Sequence, residues 1–124
     1  MLNKYFGKME YSIGWKAPRE IVLFGKPCTI TVKVQAYEPD DIIPPVQEDA
    51  CRQYAENEAD LLKTAEELMK EFSGAAETRF SPRRLLFTVT GECALLCDDA
   101  EDGDEGIAVC LLPEKTVEYQ SDFL

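Results

Sequence analysis

Hydrophobic and polar positions alternate most cleanly between Thr29 and Tyr37. Ile30, Val32, Val34 and Ala36 fall on one side, and Thr29, Thr31, Lys33 and Gln35 on the other. A period of two predicts an antiparallel strand with one buried face and one wet face. A weaker alternation over Tyr11–Trp15 predicts a first strand, broken by Ala17-Pro18. The β-branched and aromatic run Glu20–Phe24 predicts a second, ended by a turn at Gly25-Lys26-Pro27. Residues 11–37 therefore read as a meander.

From Val46 to Phe72 the period changes. Ala50, Tyr54, Leu61, Leu62, Ala65, Leu68, Met69 and Phe72 recur at helical spacing. Pro44-Pro45 suits a helix start, Glu48 and Asp49 suit the positive end of the helix dipole, and Ser73-Gly74 ends the pattern after Lys70. The apolar stripe thins between Asn57 and Asp60, which marks the place for a kink in one long helix. Residues 74–82 read as a loop with Phe80 and Pro82 packed, and Arg83–Thr90 as a strand presenting Leu85, Phe87 and Val89.

Cys93–Cys97 and Ile107–Leu112 are apolar on both faces, the pattern of strands buried on two sides. Between them lies a carboxylate-rich turn holding Asp98, Asp99, Glu101, Asp102, Asp104 and Glu105. Thr116–Tyr119, beyond Pro113, predicts a last short strand. The order of strands, helix and strands predicts an α+β fold in a single domain spanning residues 1–124. It is a mostly antiparallel sheet with one long helix, about residues 46–72, packed on one face. The two-sided strands need a second cover, for which the segment with Phe6 and Trp15 is the candidate.

Composition changes this picture through charge. Acidic residues number 24 against 13 basic ones, a net charge of −11 with a pI near 4.4. Residues 1–37 hold six basic and two acidic residues, whereas 38–124 hold seven and 22, so the excess lies wholly in the later part. Nucleic acid and anionic membrane both require the opposite sign. A surface this negative favours a basic protein partner. The candidate docking surface joins Asp40, Asp41, Glu48 and Asp49 to Asp98, Asp99, Glu101, Asp102, Asp104 and Glu105.

Catalytic chemistry is poorly provided for. The chain has no histidine, which removes Ser-His-Asp and Cys-His nucleophile activation and the commonest general base near neutral pH. No phosphate-binding glycine loop and no nucleophile elbow is present, and no cofactor is expected. Cys93 and Cys97 stand about 13 Å apart along a strand, too far to share a metal or a disulfide. An EF-hand loop begun at Asp98 fails at Ala100 and Val109, where oxygen ligands are required. The absence of an export signal and the odd count of five cysteines predict a cytoplasmic protein with reduced thiols.

The succession of Trp15, Phe24-Gly25, Gln47 opening a helix, Phe80-x-Pro82, Ala94-Leu95-Leu96-Cys97-Asp98, Gly106-Ile107-Ala108-Val109 and Gln120-x-Asp122-x-Leu124 resembles a family of small bacterial domains of unknown function. Related domains of this size occur among the immunity proteins of bacterial toxin systems. The resemblance spans nearly the whole chain, although the acidic turn is longer and more charged than the family pattern. It implies no catalytic residues, and it implies occlusion of a basic toxin domain. The alternative is a small regulatory or ligand-binding domain with a pocket between helix and sheet.

Overall fold

A computed structural model describes residues 1–124. Strands β1 (Leu2–Asn3) and β2 (Gly7–Lys8) form a small separate hairpin. The main chain path continues through β3 (Glu10–Tyr11), β4 (Trp15–Leu23), β5 (Lys26–Val34), α1 (Pro45–Phe72), α2 (Ala76–Arg79), β6 (Phe80–Phe87), β7 (Cys93–Asp99), β8 (Asp102–Leu112), β9 (Thr116–Tyr119) and α3 (Gln120–Phe123). Strands β3 to β9 make one seven-stranded sheet in sequence order. Only β5 and β6 run parallel, because α1 carries the chain back across the sheet between them. The fold is α+β, with the long helix on one face.

The strand after Trp15 does not stop at Ala17-Pro18. The turn is also earlier than expected, a two-residue loop of Phe24 and Gly25 with φ of 52° and 73°, joining the Leu23–Lys26 pair. Positive φ at both central residues is the type I′ turn, whose twist matches that of the flanking strands. Counting back from this turn, Pro18–Thr31 and Val22–Pro27 are non-hydrogen-bonded pairs. Both prolines therefore aim their missing N–H away from the β4–β5 ladder, where it costs nothing.

In α1, Gln47, Ala50, Cys51 and Tyr54 are buried, as are Leu61, Leu62, Ala65 and Met69. The gap between these groups coincides with Asn57, whose φ of −126° and ψ of 22° mark a kink within one continuous helix. Glu58 takes the inward position there and receives Arg19 of β4 in a bidentate pair at 2.6 and 2.9 Å. Burial alone would raise the Glu58 pKa, but hydrogen bonding to Arg19 and Tyr54 and the Arg19 charge together lower it.

The core is asymmetric. Twenty-four buried residues join α1 to the inner face of the sheet, including Val32, Leu85, Phe87, Leu95, Ile107 and Val109. The outer face carries a second cluster of five: Leu86, Ala94, Leu96, Ala108 and Cys110. Phe6 and Trp15 pack on the inner cluster, with the Phe6 ring 5.4 Å from Phe87, so they do not supply the second cover. Phe123 of α3 does. Gln120 Nε2 holds α3 down by donating to Cys97 O at 2.9 Å and Ile107 O at 3.3 Å. A Cβ on Gly106 would clash with that nitrogen and with Cys97 O, so only glycine admits this contact.

Three further boundaries moved. Residues 76–79 form the short α2 rather than loop, β6 begins at Phe80, and β6 ends at Phe87, leaving Val89 in a turn tied by Thr88, Thr90 and Glu92. The acidic turn is much shorter than its composition suggested. The β7–β8 ladder continues out to the Asp99–Asp102 pair, leaving Ala100 and Glu101 at the tip.

Candidate functional site

The ten carboxylates singled out from the sequence do not form one surface. Asp40, Asp41, Glu48 and Asp49 gather at the start of α1. The other six lie on the β7–β8 hairpin tip, which α2 and Arg79 tie to the far end of the helix. They lie toward opposite ends of the 28-residue helix.

At the hairpin tip most carboxylates are occupied. Asp99, whose side chain is 4% exposed, receives Arg79 Nε and Nη2, both at 2.9 Å, and its Oδ1 also accepts the Glu101 N–H at 2.9 Å. These hydrogen bonds, led by those from Arg79, hold its pKa below the usual carboxylate range. Arg79 also reaches Glu101 at 3.0 Å and lies over the Phe80 ring. Asp98 pairs with Arg83 at 2.8 Å, and Glu105 accepts the Ser121 hydroxyl and N–H at 2.7 and 3.1 Å. Asp99 therefore belongs to the architecture, not to a docking surface. Asp102 and Asp104 remain exposed. No three His, Cys, Asp or Glu side chains come together anywhere as a metal site would require.

The helix start is different. No lysine or arginine occurs between Lys33 and Arg52, while Glu38, Asp40, Asp41, Glu48 and Asp49 all do. Asp49 is engaged by Arg52 and Gln53, each at 2.6 Å, and Asp41 accepts the Glu38 N–H at 3.0 Å. Asp40 and Glu48 are exposed and form no ion pair. Three apolar side chains of the same stretch of chain are exposed: Tyr37 at 72%, Ile42 at 90% and Val46 at 52%. Periodicity passes over them because they sit in or beside a proline-rich connection, although Ile42-Ile43 directly after Asp40-Asp41 is a visible signal.

A cavity of about 280 Å³ opens beside this patch, lined by Gln35, Tyr37, Asp41, Ile42, Pro44 and Gln47 among others. Gln47 is fully buried, and its Nε2 donates to Gln35 O at 2.9 Å and Phe87 O at 3.0 Å, joining the helix start to β5 and β6. A second groove of about 520 Å³ runs between α1 and β4, lined by Glu20, Val22, Glu58, Leu62, Lys63 and Glu66.

The thiols are poor nucleophiles. Cys93, Cys97 and Cys51 are buried in the inner core, and burial pushes the Cys97 and Cys51 pKa up to about 12. Burial likewise raises Tyr54, with the nearby Glu58 carboxylate adding to it. No helix is long and apolar enough to cross a membrane.

No family model, no curated protein and no solved structure matches this chain.

Proposed function

We propose that this chain is a non-enzymatic, cytoplasmic protein-binding module that engages a basic partner through the start of α1. The observation that carries the reading is the exposure of Tyr37, Ile42 and Val46 in a stretch of chain that holds five carboxylates and no basic residue between Lys33 and Arg52. Exposed apolar side chains together with carboxylates of one sign suit a protein interface, and that sign selects a basic partner. The lack of histidine and the high thiol pKa values support a role without catalysis. The resemblance to immunity proteins supplies the type of partner, a basic toxin domain occluded sterically and electrostatically.

The test is purification of the tagged protein from its host at low salt, beside a variant carrying Asp40→Lys, Asp41→Lys and Glu48→Lys. A basic protein retained by the wild type, lost from the variant and released by salt is the expected result. Absence of any partner at low salt overturns the reading. A partner held equally by both proteins moves the interface elsewhere.

A further inference from the structure

In a chain with nearly twice as many acidic as basic residues, each cation has many carboxylates to choose from. Four of the five arginines take one: Arg19 with Glu58, Arg52 with Asp49 and Glu56, Arg79 with Asp99 and Glu101, and Arg83 with Asp98. Arg84 takes none. It sits on β6 opposite Thr31 of β5, and Lys33, two residues along β5, is directly opposite Lys16 of β4. Their strand neighbours Ala17, Val32, Val34 and Leu85 are buried on the inner face. Lys16, Lys33, Arg84 and Thr31 therefore all project from the outer one.

Like charges placed directly opposite each other across an antiparallel pair are destabilising. Here no carboxylate forms an ion pair that relieves it, and Glu10, opposite Lys16 on β3, makes none with that lysine. The Lys33 stem is also positioned. It runs over Gly14, where a Cβ would come within 3.0 Å of Lys33 Cε, so the missing side chain makes room for it. Burial lowers the Lys33 pKa, and the charges of Arg84 and Lys16 add to the effect, as expected of a cation held beside two others.

We propose that Lys16, Lys33 and Arg84, with the Thr31 hydroxyl, form an anion site on the outer face of the sheet that takes a phosphate group. A phosphate dianion relieves several like charges at once, and a guanidinium fork matches its oxygens in a bidentate contact. The net negative charge of the chain opposes anions only at long range, since the local field dominates within a screening length of about 10 Å. The site is separate from the acidic surface at the start of α1 and does not depend on the function proposed for it.

The test uses the full chain labelled for nuclear magnetic resonance of lysine and arginine side chains. Inorganic phosphate and glycerol phosphate are titrated separately at constant ionic strength, with chloride as the control. Saturable shifts at Lys16, Lys33 and Arg84 by about 10 mM ligand are expected. Lys33→Ala and Arg84→Ala should each weaken binding by about tenfold or more while leaving the remaining spectrum in place. Tighter binding of glycerol phosphate assigns the site to phosphate monoesters, and equal binding assigns it to the inorganic ion. No saturable shift, an equal response to chloride, or undiminished binding by both variants overturns the proposal.

Discussion

The hairpin tip and the start of α1 are both crowded with carboxylates, yet they use them in opposite ways. At the tip, Asp98, Asp99 and Glu101 are taken by Arg83 and Arg79, and Glu105 by Ser121. The charge there closes a ladder, seats α2 and holds α3 in place. At the helix start, Asp40 and Glu48 stay in solvent beside Tyr37, Ile42 and Val46. Density of charge along a sequence therefore does not locate a binding surface. What distinguishes the two regions is which carboxylates are taken up by hydrogen bonds and ion pairs after folding: Asp98, Asp99, Glu101 and Glu105 at the tip, but not Asp40 and Glu48 at the helix start.

This contrast predicts large stability effects at the tip and small ones at the helix start. Gly106→Val forces a side chain into the space shared by Gln120 Nε2 and Cys97 O, and it should cost about 3 kcal/mol in urea denaturation. A cost below that of an ordinary surface substitution would show that α3 simply lifts away. Asp99→Asn should lower the thermal midpoint and also change the acid limb. The folded-state pKa of Asp99 is depressed below its ordinary 3.8, so its contribution is complete above that value and disappears as pH falls through the folded one. The variant should be less stable at neutral pH and less sensitive to pH below about 4. Parallel stability curves for the two proteins would remove Asp99 from the acid response.

Gln120→Ala leaves two backbone carbonyls without their side-chain donor and should cost about 1–2 kcal/mol. Amide hydrogen exchange should then rise first over β8, β9 and α3. Asp40→Asn combined with Glu48→Gln marks the small end of the series. Its stability should stay within about 0.5 kcal/mol of wild type, while any partner affinity falls and loses its salt dependence. A marked loss of stability would place these carboxylates with those of the tip.

Much of the fold was legible. Ile30, Val32 and Val34 proclaimed a one-sided strand, and the core placed them on the inner face. The helix was found within one residue of its bounds, and the thinning at Asn57–Asp60 coincides with its kink. Cys93–Cys97 and Ile107–Leu112 read correctly as two-sided. Features set by pairing rather than by period were not legible. The strand passing through Pro18 depends on which ladder positions carry hydrogen bonds, and that follows from the Phe24-Gly25 turn. Val89 looked like a strand residue because alternation cannot see that β6 yields to a threonine-rich turn at Phe87.

The sequence by itself determined the main strands, the placement of the long helix and most of the inner core, because burial periodicity is a local consequence of backbone geometry. It also excluded histidine chemistry, because a missing residue is missing in any fold. Only the tertiary structure decided what the charges do. Arg79 and Asp99 are 20 residues apart, Arg19 and Glu58 are 39 apart, and Lys16 meets Lys33 beside Arg84 only because three strands pair in a given register. An ion pair forms or fails over a few ångströms of space, and separation along the chain carries no information about that distance. The carboxylates that drew attention first thus divide into structural and exposed groups by folding alone.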